Sequence, residues 1–156
     1  MRDIIFLPDT CHPAIEFRVI ILFLIILFME YYFSKRVTIP FNQAIDKIAE
    51  ELKKQGFGIV TTIDIKEVLK KKINVDFRNY TILGACNPRY AYEGLLEEDK
   101  LGIFLPCNVV VQEHNSGEVE ISVVNPEEMM QNIDDLNLKT FATDVKASLL
   151  QALEHV

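Results

Sequence analysis

Two short segments hold the residue types best suited to chemistry in this chain: Gly84-Ala85-Cys86-Asn87-Pro88 and Leu105-Pro106-Cys107-Asn108-Val109. Each sets a cysteine beside an asparagine, near a proline and against an apolar run. An ionised thiol is a nucleophile and a ligand for soft metals. Cys86 falls where a strand would hand over to a helix. A thiolate there would face free N–H groups and the positive end of the helix dipole, which predicts a lowered pKa. Cys107 would then serve as a resolving thiol, or as a second ligand for Cu(I) or Zn(II). The plainer reading is that a free cysteine behaves as a small buried hydrophobe, and the apolar run around Cys107 suits that.

The neighbours of the two thiols complete the candidate set. Asn87 before Pro88 reads as a helix cap followed by a first-turn proline, and Asn125-Pro126 repeats the device without a cysteine. Asn108 stands in an apolar strand, where a buried amide must find a partner or face a ligand. Arg89, in the first turn of a helix, works against the dipole, so it should pair with an acidic ligand group or with Glu93. Tyr80, Tyr90 and Tyr92 can line a pocket or fill a core. His114 and His155 are far from both cysteines in sequence, which gives a Cys/His catalytic pair no support. There is no phosphate loop, dinucleotide fingerprint or zinc spacing. Candidate ligand-binding residues are therefore Cys86, Asn87, Arg89, Cys107 and Asn108. Cys86 and Cys107 are also the metal-ligand candidates. No catalytic residue is assigned, and the sequence names no cofactor.

The rest of the chain must position these residues. Its 156 residues are enough for one domain with a proper core, and the 49% hydrophobic and 25% charged fractions are those of a globular protein. The net charge of −7 argues against nucleic acid as a partner, since phosphate binding needs a basic face. Three cysteines without close spacing point to a reducing compartment rather than a disulfide scaffold. Residues 19–29 are wholly apolar, shorter than a membrane-spanning helix requires. The leading reading makes Met29 the start and 1–28 an apolar extension outside the 29–156 domain. A single membrane anchor is the alternative, and a signal sequence or an extra ordered element follows. Cys11 and His12 receive no role.

From Tyr31 onward the pattern alternates strands and helices. Residues 31–38 read as a strand. Phe41, Ile45, Ile48 and Leu52 make a helical stripe, with Gly56 as its stop and Phe57 closing over the end. A strand follows to Ile63, then a short helix opened by Asp64 and Glu67. Phe77–Ala85, Ile103–Gln112 and Val119–Val124 read as strands, the last two joined by a turn at His114-Asn115-Ser116-Gly117. A helix covers Tyr90–Glu98. A final helix from Leu138 to Leu153 carries Leu138, Phe141, Val145, Leu149 and Leu153 on one face. The fold class is α+β, a mainly antiparallel five-stranded sheet with helices packed on one face. Lys66, Lys70, Lys71 and Lys72 form a basic patch, and Glu97, Glu98 and Asp99 an acidic one. Both suit solvent, and opposite patches could also meet in a homodimer.

The segments Gly56-Phe57-Gly58, Tyr80–Pro88, Ala91-Tyr92 and Gly102–Val111 together resemble the domain-of-unknown-function family 302, over a match running from Met29 to about Leu153. The resemblance implies a TATA-binding-protein-like fold of order β-α-β-β-β-β-α with short extra helices, often homodimeric. It implies no DNA binding. The expected function is a cytoplasmic, non-catalytic small-ligand-binding or homodimeric module. The alternative is a thiol redox or soft-metal protein using Cys86 and Cys107. A membrane would be a partner only through residues 1–28.

Overall fold

The computed structural model describes residues 30–156. The readings placed on residues 1–28, including the anchor and Cys11, lie outside the described residues. Five strands, β1 (Tyr32–Val37), β2 (Gly58–Asp64), β3 (Tyr80–Cys86), β4 (Cys107–Glu113) and β5 (Val119–Val124), form one sheet in the order β1-β5-β4-β3-β2. Every neighbouring pair is antiparallel. The helices are α1 (Phe41–Lys54), α2 (Ile65–Ile73), α3 (Pro88–Glu97), α4 (Pro126–Met129) and α5 (Leu136–Glu154), with a 3-10 turn over Leu101–Phe104. This is the expected α+β architecture, a five-stranded antiparallel sheet with helices. Among the described residues no helix is long and apolar enough to cross a membrane.

Strand alternation decides which face is covered. Leu83 and Ala85 of β3, Val109 and Val111 of β4, and Val119, Ile121 and Val123 of β5 all point to one face. They are buried there against Ala44, Ile48 and Leu52 of α1 and Leu149, Ala152 and Leu153 of α5. Several helix ends are closed as their sequence dictates. Gly56 turns with φ +82°, and the Phe57 N–H donates to the Leu52 carbonyl, so that Phe57 seals the end of α1. Asp64 caps α2 by accepting from the Glu67 N–H at 2.9 Å, and Asn74 ends it in the left-handed region. Lys35 reaches from β1 to the Glu154 and Val156 backbone oxygens at 2.7 and 2.9 Å, satisfying the C-terminal end of α5.

Two sequence expectations need correction. The apolar run Ile103-Phe104-Leu105 is not strand: it belongs to the 3-10 turn and its exit, and β4 begins only at Cys107. Gly102 gives the segment little strand preference, and Pro106 has no N–H to place in a ladder. Ile103 is 78% exposed as a result. On α1 the buried centre is Ala44, Ile48 and Leu52, with Phe41 and Ile45 only partly covered.

Glu51 also lies inside that face, 4% exposed, because Lys47 and Lys54 grip its carboxylate at 2.7 and 2.8 Å. Hydrogen bonds from the two lysines hold its pKa at about 2, against an ordinary value of 4.5. A folded-state pKa below the unfolded one stabilises above the unfolded value and loses that contribution as pH falls through the folded value. Urea midpoints should therefore decline as pH drops from 4.5 to about 2. Glu51→Gln should flatten that part of the pH profile, and an unchanged slope would remove Glu51 from the account.

Candidate functional site

The sheet's topology brings three chain ends together. β3 and β5 both run antiparallel to β4 and flank it, so both finish where β4 begins. Each then meets an Asn-Pro pair and launches a helix. Asn87 accepts the Arg89 N–H at 3.1 Å and starts α3; Asn125 accepts the Glu127 N–H at 3.2 Å and starts α4. Pro88 and Pro126 occupy the first turns, where a missing N–H costs nothing. Glu127 in turn accepts from Thr143 at 2.8 Å and Lys146 at 2.6 Å, which fastens α4 to α5.

Beneath this lies a cavity of about 40 Å³. Its sheet end is formed by Phe57, Cys86, Asn87 and Cys107. Tyr90, Ala91 and Gly94 of α3 make one wall, and Leu101 and Phe104 of the 3-10 turn continue it. Gly94 allows that continuation: a Cβ there would run into Leu101 Cδ2. Met129 and Met130 follow from the end of α4, and Leu138, Phe141, Ala142 and Val145 of α5 form the opposite wall. The lining is almost wholly apolar. A single water needs about 10–15 Å³, so the chamber has room for roughly three waters or one very small guest.

Three of the five candidate residues meet here: Cys86, Asn87 and Cys107. Arg89 does not. Its side chain is 83% exposed and pairs with Glu93 at 3.1 Å, the plainer of its two expected partners. Asn108 does not either; it lies exposed on the uncovered face of the sheet, opposite Gly84. Asn87 does two jobs, since its amide also packs over the α1 exit turn, where a Cβ on Gly56 would come within 3.0 Å of Nδ2.

The thiols differ from expectation in two respects. Burial pushes the Cys86 pKa up rather than down. The Arg89 N–H at this helix start is already taken by the Asn87 oxygen, which removes a donor a thiolate would need. Burial, and after it the charge of Cys86, pushes Cys107 up to about 11. The register also sets Ala85 directly opposite Cys107. Cys107 therefore shares the covered face with Leu83 and Ala85, while Cys86, the last residue of β3 before the Asn87 cap, borders the same chamber. Both cysteines are free thiols. Among the described residues, no three His, Cys, Asp or Glu side chains gather as a metal site.

Sequence reasoning missed the walls. Phe141 and Val145 were visible as part of the apolar stripe of the last helix, where they read as ordinary core. Met129 and Met130 gave no periodic signal, because α4 is a single turn. The repeated Asn-Pro pair was the available clue, since both copies launch helices that line the chamber.

A second feature is the uncovered sheet face. Tyr31, Tyr32, Tyr80, Val110, Gln112, Glu120 and Ser122 line a shallow groove of about 250 Å³ there. Arg78 lies over the Phe77 and Tyr80 rings at 4.6 and 5.5 Å and donates to Gln112 at 2.8 Å. Gln112 donates to Glu120 at 3.2 Å, and Glu120 also contacts His114 at 2.7 Å. Members of the basic and acidic patches make local contacts: Lys66 with Asn79, Lys70 with Asp76, and Asp99 with Lys100.

Comparison with known proteins gives a consistent result. Residues 33–156 match the family described as domain of unknown function DUF302. The crystal structure of an uncharacterized conserved DUF302 protein from Bacillus stearothermophilus superposes with a TM-score of 0.75 at 32% identity, covering 80% of this chain and 97% of that one. No curated protein matches the chain.

Proposed function

Starting from the fact that this chain belongs to the DUF302 family, we propose that it is a non-catalytic module that holds a very small ligand in the chamber at the end of β3, β4 and β5. One observation carries this reading: an apolar cavity bounded by four separate elements, with Cys86, Asn87 and Cys107 at its sheet end. Nothing in its lining resembles a proton-transfer pair, since the titratable groups among the described lining residues are two thiols and Tyr90. A thiol redox role fits less well. Both thiols are pushed toward their protonated forms, and exchange needs the thiolate.

Ala142 is the place to test the chamber. It is buried on α5 and lines the cavity. Ala142→Phe should fill the space and cost about 1–3 kcal/mol of stability through overpacking. Native mass spectrometry of protein purified without oxygen should show added mass on the wild type that the variant lacks. Identical spectra at the mass of the bare chain would end this reading.

A homodimer formed through the uncovered sheet face is a second reading. Its support is the exposed aromatic pair Tyr31 and Tyr32, 72% and 40% exposed, with rings 4.7 Å apart beside the groove. Tyrosine is favoured at such interfaces because its ring is apolar and its hydroxyl is not. Light scattering should give a dimer mass for the wild type and a monomer mass for Tyr32→Asp. A monomeric wild type would discard it.

A further inference from the structure

The uncovered face of the sheet carries one row of positions across four strands. Tyr80 of β3 stands opposite Gln112 of β4, Gln112 opposite Glu120 of β5, and Glu120 opposite Arg36 of β1. The next row on that face, Val110, Ser122 and Ser34, holds smaller side chains. Val110 and Ser122 line the groove together with Tyr80, Gln112 and Glu120, and Tyr31 and Tyr32 join them from the start of β1. The Tyr31 and Tyr32 rings meet at 61° with centroids 4.7 Å apart, so they make a corner rather than a stack. Three tyrosine rings and one carboxylate therefore line a single groove. We propose that this groove binds a quaternary ammonium group, of the kind that choline carries. The inference is independent of the chamber, and it concerns the face that a dimer would cover.

Glu120 sets the sign of the ligand. Burial works to raise its pKa, but hydrogen bonds from His114 and Ser34 and the charges of His114 and Arg36 bring it below its ordinary value of 4.5. The carboxylate is thus ionised, and at 14% exposure its charge is poorly screened by water. Anions are excluded on that ground. Sugars need many directional hydrogen bonds, and Gln112 is already engaged at both ends. Its oxygen accepts from Arg78 at 2.8 Å, and its nitrogen donates to Glu120 at 3.2 Å. A quaternary ammonium has no N–H to satisfy. It is held by the negative faces of aromatic rings and by a nearby carboxylate. Rings beside the groove already hold a cation in this way: Arg78 lies 5.5 Å from the Tyr80 centroid and 4.6 Å from that of Phe77. Arg78 is itself exposed, so water screens its charge from the groove. The net charge of −7 favours the approach of a cation. At about 250 Å³ the groove falls just below the range for drug-sized ligands, roughly 300–1,000 Å³, which suits a small headgroup.

The test is a titration of the full chain with choline chloride at constant ionic strength, followed by proton–nitrogen NMR. The expected result is a saturable shift of the Gln112 side-chain amide and of the Tyr32 and Ser122 backbone amides. The uncharged tert-butyl analogue of choline, with carbon in place of nitrogen, has the same shape and should bind about 10-fold more weakly. Tyr32 is 40% exposed, so its replacement spares the core. Tyr32→Leu removes the ring and should weaken choline binding about 5-fold, whereas Tyr32→Phe keeps the ring and should bind like the wild type. Glu120→Gln keeps the side-chain shape, removes the charge and should lose about 10-fold. Flotation with phosphatidylcholine vesicles, lost in Tyr32→Leu, would place the group on a lipid headgroup. Choline binding without flotation would place it on a soluble molecule. Equal affinity for choline and its uncharged analogue would overturn the proposal. So would unchanged binding by both Tyr32→Leu and Glu120→Gln, or the absence of both saturable shifts and flotation.

Discussion

Replacing Gly84 by valine is expected to destabilise the protein by about 3 kcal/mol, measured as a shift in the urea unfolding midpoint. Gly84 sits in the middle of β3, paired on one side with Thr61 of β2 and on the other with Asn108 of β4. A Cβ at this position would overlap Thr61 Oγ1 and come within 2.6 Å of Pro106 Cγ. The threonine can rotate. The proline ring cannot bend away, and it lies at the entry to β4, so the ladder beside Cys107 would have to move with it. Gly58, one strand away, provides the control. Nothing lies within 4 Å of a Cβ there. Gly58→Ala should be neutral or stabilise by about 0.5 kcal/mol, because it lowers only the entropy of the unfolded chain. Similar losses at both positions would show that the close approach over Gly84 is not what its missing side chain provides.

Leu149→Ala should cost about 3–5 kcal/mol. Leu149 is 0% exposed and belongs to the core formed by α1, α5 and the covered face of the sheet. Truncation removes the transfer energy of the side chain and leaves a void that rigid strands cannot close. Against a domain stability of about 5–15 kcal/mol, such a loss removes a large part of the margin. The unfolding midpoint should fall steeply while the slope of the transition stays constant. A loss under about 1 kcal/mol would mean that α5 does not anchor the core through this residue.

The strands and the two long helices were legible because they depend on local periodicity. Thr81, Leu83 and Ala85 alternate with Tyr80, Ile82 and Gly84, and the structure keeps that division. Which of the two sets would join Cys107 was not legible. That depends on register, and a shift by one residue reverses every face. The same limit applies to Asn108, whose amide proved exposed, and to Cys86, whose position at a helix start did not produce a lowered pKa. Glu51 escaped notice because a charged residue in an apolar stripe is explained only by its lysine partners on the neighbouring turns. The chamber escaped because its walls come from α3, the 3-10 turn, α4 and α5, none of which shows alone that it faces a void. Asn87 and Asn125 were read correctly as caps, since a cap is a matter of two or three residues.

The sheet order has a consequence for how the chain is made. Among the described residues, β1 is an edge strand whose neighbour is β5, the last strand in sequence, with Tyr32 opposite Val124. On a ribosome, β1 emerges first and must wait for nearly the whole domain before its backbone finds a partner. β2, β3 and β4 can assemble earlier as a meander, but the edge they present to β5 stays open until residues 119–124 arrive. Pairing of such distant segments is slow and leaves unpaired strand exposed in the meantime. A nascent chain stalled before Val119 should thus remain protease-sensitive at β1, and one released past α5 should become resistant throughout residues 31–156.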